Sequence, residues 1–391
     1  MANDIQKLVE VIHGSPGRLV AALSGGGTRA LAELLEVPGA SRTLLEAVIP
    51  YCETAITRWL GGRPDRFCAA RTARAMAMVA FHRARELGEE PEFAAGVGCT
   101  ASLATDRPKR GEHRAHVALQ TAGRTSCWSV TLEKGRRSRQ EEEELVSRLV
   151  LGAAAVGLVP SRKGVSPLEP RGADPFSDRL SESRPTLDLA EHEELETSDV
   201  VAEPAWKDLL LGTVDVVRRG DATSAVFPGA FNPLHLGHRH MIEVAREMLG
   251  MPVALEISIE NVDKPPLDYY EINRRLGQFA EDQPVWLSRA ATFVEKSRLY
   301  PGSTFLVGTD TLRRIAEPRY YGDDAACRAA VEKIARRGCR FLVFGRNLGT
   351  GFIRLGDLDL PEQLRAICRE IPAERFREDV SSTSLRRAGK W

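Results

Sequence analysis

The feature that most constrains this chain is a strand-then-helix alternation that runs, stops and starts again. Short apolar runs bounded by turn residues alternate with longer helical stretches, first over about residues 5–159 and again from Thr223 onward. A buried strand followed by a helix that folds back over it is the repeating unit of an α/β sheet. In the first stretch, residues 17–23 (GRLVAAL), 93–99 and 116–120 read as strands. Residues 29–35, 72–87 and 140–156 read as helices. In the second, 223–227, 252–259, 304–307 and 339–344 are expected as strands. Residues 206–217, 238–249 and 326–337 are expected as helices, with a last helix opening at 384–387. Between them lies a segment rich in Pro, Ser and charge, which cannot bury enough apolar surface to offset its ordering entropy. The expected organisation is therefore an α/β domain over 1–159, a flexible linker over 160–199 and a second α/β domain over 200–391. The second is expected to be a Rossmann-like, doubly wound parallel sheet.

Charge removes some function classes. Basic and acidic residues balance at 54 each, so no net field directs the chain to a nucleic acid or an anionic membrane. No apolar run approaches the roughly 20 residues of a membrane helix. The first residues, MANDIQKLVEVIHGSPG, carry acids early and lack the form of a signal peptide. Seven scattered cysteines without a CxxC pair fit reduced thiols better than zinc or disulfides, and a cytoplasmic location is expected.

Two turns carry chemistry. In the second domain, Pro228-Gly229-Ala230-Phe231-Asn232-Pro233-Leu234-His235-Leu236-Gly237-His238 leaves a strand and enters a helix. Gly229 permits close backbone approach to a phosphate, and the helix N-terminus favours anions. His235 and His238, three residues apart, can aim both rings at one point, where charge develops on a transferring phosphoryl group. Far downstream, Val380-Ser381-Ser382-Thr383-Ser384-Leu385-Arg386 combines helix-capping hydroxyls with a guanidinium that can grip phosphate.

In the first domain, Ser24-Gly25-Gly26-Gly27-Thr28 also joins a strand to a helix. It is either a cradle for phosphate or an oxyanion, with Ser24 as a nucleophile, or a plain glycine turn. It is not a Walker loop, because the GK[ST] ending is missing. The run Gln140-Glu141-Glu142-Glu143-Glu144 reads as the solvated acidic first turn of a helix, and Lys134–Arg139 as a surface loop.

GAFNPLHLGH and SSTSLR resemble the two signatures of the HxGH nucleotidylyltransferase superfamily, and the FNPxHxGH form is most similar to its nicotinamide/nicotinate mononucleotide adenylyltransferase branch. Phe305-Leu306-Val307-Gly308-Thr309-Asp310 resembles that branch's strand ending in GxD, and Phe344-Gly345-Arg346 its later strand ending in Arg. Lys264 and Arg274 or Arg275 match basic positions between them. The resemblance implies that His235 and His238 steady the α-phosphate of ATP while a phosphorylated acceptor attacks in line. Gly229, Ala230, Phe231, Asn232, Lys264, Gly308, Asp310, Arg346, Ser382, Thr383 and Arg386 would bind the nucleotide, and Mg2+ would accompany ATP. Where the branch often places a Trp after GxD, this chain has AEPRYYG, with Tyr320 and Tyr321. Phosphopantetheine as acceptor, and cytidylyl transfer, are the rivals, as is a ligand-sensing protein with a degenerate first domain. The partners implied are small molecules alone, and the oligomeric state is open between a monomer and a homo-oligomer.

Residues 5–158 resemble the C-terminal domain of the CinA family, whose bacterial members are nicotinamide-nucleotide amidohydrolases. The likeness rests on the spacing of Ser24, Glu36-Val37-Pro38-Gly39-Ala40-Ser41 and Ile49-Pro50-Tyr51. It implies a nucleotide pocket formed by Ser24, Gly25, Gly26, Gly27, Thr28 and Tyr51. The family's ESCTGG is LSGGGT here, its lysine after the tyrosine is Ile56, and its TGIAGP is GCTASL at 98–103. Lys109 or His113 is then the candidate base, and amidohydrolase activity is not expected.

Overall fold

The computed structural model describes residues 2–88, 90–107, 109–159, 187–261, 265–347 and 351–377. The chain divides into two compact units, residues 1–207 with 263–270, and residues 208–262 with 271–391.

The first unit is built on a six-stranded mixed sheet in the order β2-β1-β3-β4-β5-β6. Its strands are β1 (Arg18–Ser24), β2 (Leu44–Val48), β3 (Ala94–Ser102), β4 (His113–Thr121), β5 (Arg124–Leu132) and β6 (Leu195–Val201). Strand β1 runs parallel to β2 and β3, and β3 to β6 form an antiparallel meander. Helices α1 (Ala2–His13), α2 (Arg29–Glu36), α3 (Ala70–Leu87) and α4 (Arg139–Leu158) complete the frame. The near-continuous burial of β1 and β3 is the mark of strands covered on both faces. Alanines let α3 lie close over the sheet, where Ala73 and Ala77 meet Ala118 and Cys127.

Strand β6 corrects the expected linker. Its residues lie in the last part of the 160–199 segment and continue past it, pairing with β5 from Arg124↔Val201 to Val130↔Leu195. The pairing uses main-chain groups, so it needs no apolar side chains, and only Leu195, Ser198 and Val200 of β6 are even partly covered. Glu193, just before it, is held by both guanidinium nitrogens of Arg137 at 2.7 and 2.8 Å. Residues 160–186 of the expected linker lie outside the described residues. The second expected domain boundary also moves. Residues 200–207 and 263–270 group with the first unit, where Asp268 pairs with Arg74 at 2.9 Å and the Tyr269 hydroxyl donates to Ala122 O at 2.6 Å.

The second unit carries a seven-stranded sheet in the order β15-β12-β11-β8-β9-β10-β7. These are β7 (Val216–Arg219), β8 (Ala225–Pro228), β9 (Val253–Ser258), β10 (Val285–Ser288), β11 (Thr304–Gly308), β12 (Arg340–Phe344) and β15 (Cys368–Glu370). A small separate ladder joins β13 (Arg346–Asn347) to β14 (Phe352–Ile353). Every pairing in the large sheet is parallel except that of β7, on the edge. The helix expected over 206–217 is therefore split. It covers Pro204–Leu211, stops where Gly212 turns with φ 82°, and gives way to β7. Helices α5 (Leu236–Leu249), α6 (Tyr269–Leu276, in this unit from Glu271 on), α7 (Phe293–Leu299), α8 (Thr309–Ile315) and α9 (Asp324–Arg336) follow in order. Phe305, Val307, Phe341 and Val343 form the centre of one core with Val331 and Ile334 of α9. The last helix expected at 384–387 lies outside the described residues.

Candidate active site

The order of the large sheet determines where the site falls. From β8 the chain builds outward through β9 and β10, then returns to add β11 on the other side of β8. Adjacent strand ends whose connections leave in opposite directions open a crevice, at the carboxyl edge of the sheet. Three expected motifs meet there. The HLGH turn follows β8, Gly308 ends β11 and Arg346 follows β12.

Helix α5 begins at Leu236, with His235 as its extended N-cap at φ −138° and ψ 172°. One turn separates the two histidines, and their rings stack with centroids 3.7 Å apart and planes 22° from parallel. Both are buried, at 8% exposed. The His235 main-chain N–H donates to His238 Nδ1 at 3.3 Å. In the neutral ring that contact assigns the remaining proton to Nε2, which becomes a donor. Phe227 and Phe231 meet the His238 ring edge-on at 5.8 and 5.1 Å. Burial in this aromatic box, followed by the influence of His235 and Arg346, pushes the His238 pKa down to about 3.

The turn before the helix is tightly determined. Gly229 cannot be replaced without movement, because a Cβ there would lie 2.7 Å from the Phe231 ring. Its N–H donates to Glu256 O at 2.9 Å. The Glu256 carboxylate in turn is gripped by Lys296 Nζ at 2.8 and 2.9 Å, which satisfies a buried charge beneath the turn. Phe231 takes a left-handed φ of 42° and is 1% exposed. From α6 and the residues after it, Arg274 donates to Asn232 Oδ1 at 2.5 Å and Arg275 to Ala230 O at 3.2 Å. Gln278, which the sequence reading did not single out, donates to Phe231 O at 2.9 Å and accepts from Leu234 N at 2.8 Å. It lies in the turn after α6, where no helical period or motif marks it.

On the other side of the crevice, Gly308 is the N-cap of α8. Asp310 in the first turn of that helix faces Arg346, with Oδ1 and Nε 3.4 Å apart. The structure thus gathers Gly229, Ala230, Phe231, Asn232, His235, His238, Gly308, Asp310 and Arg346. Lys264, Ser382, Thr383 and Arg386 lie outside the described residues. A shallow concavity of about 640 Å³, lined by Asp221, Arg246, Met251, Glu281 and Asp282 among others, lies at the opposite strand edge and contains none of them.

The candidate site of the first unit is closed by its own chain. Ser24 ends β1 and is 6% exposed. Gly25 turns with φ 80°, and a Cβ there would strike Ala101 O at 1.9 Å. The donors that a phosphate would use are taken by Glu143, from α4. Its Oε1 accepts from Thr28 N at 2.6 Å, Thr28 Oγ1 at 2.9 Å and Arg29 N at 3.3 Å. The carboxylate supplies the negative charge that a helix N-terminus favours. Arg139 donates to Gly25 O at 3.0 Å.

The acidic run is solvated only in part, with Gln140 and Glu141 exposed as expected. Glu142 is fully buried and accepts from Ala104 N at 2.6 Å, with His113 Nδ1 at 2.7 Å. The basic run before it is not wholly a surface loop either, since the Arg137 side chain is 7% exposed. Neither candidate base is bonded to Ser24, because Lys109 Nζ donates to Leu103 O at 2.9 Å and His113 engages Glu142. Ile56 is 4% exposed in an apolar cluster with Ala22, Leu60 and Met76, whereas Tyr51 is 70% exposed.

Comparison with known proteins bears on the second unit first. Residues 226–388 match the cytidylyltransferase-like family. The match supports nucleotidyltransferase activity, and the matched span includes both histidines, the GTD strand end and Arg346. A search of curated proteins finds no match. Solved structures of the competence-damage group are similar to the N-terminal part. The competence/damage inducible protein CihA from Agrobacterium tumefaciens is 22% identical, over 38% of this chain and 92% of that one, with a TM-score of 0.32. A CinA superfamily protein from Enterobacter cloacae is 18% identical, over 39% and 89%, with a TM-score of 0.33. One from Escherichia coli is 15% identical, over 38% and 85%, with a TM-score of 0.32. No described helix is long and apolar enough to cross a membrane.

Proposed function

We propose that the second unit transfers an adenylyl group from ATP to nicotinamide or nicotinate mononucleotide, giving the dinucleotide and pyrophosphate. The observation that carries this reading is the stacked histidine pair at the switch point of the sheet, with His238 neutral and Nε2–H left as a donor. In-line attack by the acceptor phosphate on the α-phosphorus breaks the bond to the leaving pyrophosphate, and negative charge grows on non-bridging oxygens. The neutral His238 N–H and the Arg346 guanidinium stabilise that charge. No covalent enzyme intermediate is required. The FNPLHLGH form and the GTD strand end favour the pyridine nucleotide as acceptor.

Among the described residues no cluster of three or more His, Cys, Asp or Glu could hold a metal ion. Asp310 is a single carboxylate facing a guanidinium. This donor set fits a magnesium ion carried by the triphosphate's own oxygens, where it would neutralise charge on the leaving group. Only small-molecule partners are required, in a cytoplasmic setting.

The description of the matching family favours one second reading, cytidylyl transfer from CTP to a phosphorylated acceptor. Pyrophosphate release with ATP or CTP, against a panel including both pyridine mononucleotides and phosphopantetheine, separates the two. Turnover only with CTP, or only with another acceptor, overturns the first reading. For the first unit we propose no deamidase activity, because Lys109 and His113 are bonded elsewhere and Glu143 fills the cradle. Ammonia release from nicotinamide mononucleotide that disappears in Ser24→Ala would overturn that.

A further inference from the structure

The turn carrying the histidines crosses from strand to helix through Phe231, Asn232, Pro233 and Leu234. Its main-chain groups there have no strand or helix ladder to join. A turn outside any ladder is held in one conformation by the side chains that bond to its main chain. Gln278 reaches both limbs of this turn with one side chain. Its Nε2 donates to Phe231 O at 2.9 Å and to Arg275 O at 3.2 Å, while its Oε1 accepts from Leu234 N at 2.8 Å. Leu234 immediately precedes His235, whose N–H points at His238 Nδ1. A rotation of the Leu234–His235 peptide would carry that donor away from the ring.

Resting on the adenylyl-transfer reading above, we propose that Gln278 is a positioning residue for the reaction, clamping the Phe231–Leu234 turn so that the His235 amide holds His238 in its reactive orientation. The amide is suited to this because one planar group supplies a donor and an acceptor at fixed separation, which neither a carboxylate nor a hydroxyl of the same reach can do. Arg274 and Arg275 reach Asn232 Oδ1 and Ala230 O. They fix the strand-side limb, whereas Gln278 also ties the limb that enters the helix. Its role differs from that of the histidines, since its bonds are made to the turn.

The test compares Gln278→Met, which keeps length and volume but removes the clamp, with Gln278→Glu, which keeps the acceptor for Leu234 N–H. Both are made in the full chain. Pyrophosphate release with ATP and nicotinamide mononucleotide is measured beside the imidazole nitrogen NMR signals of His238. For Gln278→Met we expect kcat to fall about 10- to 100-fold, the scale of a misplacement near 1 Å. KM for ATP should stay within about threefold, with the Nδ1 signal shifted towards a ring without that hydrogen bond. Gln278→Glu should lose part of this activity. Wild-type kcat with an unchanged His238 signal in Gln278→Met overturns the clamp. If Gln278→Met does not fold, the same two outcomes are read from Gln278→Glu. A wild-type chain that turns over no nucleotide, yet whose His238 signal moves in the variant, overturns the functional reading and retains the clamp.

Discussion

His235 and His238 lie ring on ring, 3.7 Å between centroids, with the main-chain N–H of the first bonded to Nδ1 of the second. The arrangement follows from a helix that begins between them. The N-cap residue is still extended, so its amide is free of the helical ladder, and the ring of the third helical residue folds back to accept from it. Both imidazoles are thereby fixed before any substrate arrives, and little reorganisation is left for the reaction.

Replacing His238 tests its part in that reaction. His238→Gln should lower kcat by about 10²–10³, the scale of removing one preorganised donor. Its circular dichroism should remain that of the parent. His238→Ala should also lower the melting temperature, because the ring fills space between Phe227 and Phe231 and its removal leaves a cavity. Parent-like turnover in folded His238→Gln would remove His238 from the mechanism.

The depressed pKa of His238 sets a second expectation. With a folded value near 3 against an ordinary 6.5, the ring stays neutral through the whole range from pH 8 to about pH 4. Its NMR signals should not titrate there, and an inflection in kcat near pH 6.5 would belong to another group. The linkage has a definite sign. Between pH 6.5 and 3 the unfolded chain binds the proton and the folded chain does not, so this group makes the fold less stable as pH falls through that window. His238→Gln should lose that part of the acid sensitivity, measured by urea unfolding at pH 7 and pH 5.

Glu143 gives a prediction for the first unit. With its carboxylate on Thr28 and Arg29, added phosphate should leave those two amide resonances unmoved. Glu143→Ala uncaps α2 and should lower the unfolding free energy by about 1–2 kcal/mol. Saturable shifts at Thr28 on adding phosphate to the parent chain would show that the carboxylate yields to a ligand.

A fourth expectation concerns Glu193. Burial alone would raise its pKa, but the forked bonds from Arg137 and the amides of Ala190 and Glu133 hold it at about 2. This stabilisation is complete above the unfolded value near 4.5 and is lost as pH falls from there to about 2. Glu193→Ala takes the carboxylate from a guanidinium that keeps its bond to Asp188 O, and should cost about 1–3 kcal/mol at pH 7, read by chemical unfolding. An unfolding midpoint equal to that of the parent would show that the pair contributes nothing net.

Local pattern was sufficient for much of this protein. The two runs of strand–helix alternation, the HLGH turn at a strand–helix junction and the GTD strand end are each set within a few residues. Their geometry follows from period, capping and one turn of helix. The sequence could not show which strand ends share a crevice. That was decided by the sheet order β12-β11-β8-β9, which brings Asp310 and Arg346 to the edge from which His235 and His238 emerge. Strand β6 was hidden because an edge strand draws its pairing from main-chain hydrogen bonds, and LETSDVV carries no apolar stripe to announce it. Glu142 and Glu143 read as solvated because an acid at a helix start needs no partner. More than a hundred residues separate Glu143 from Thr28, and only the packing of α4 against the glycine turn turns a surface charge into the anion that closes it.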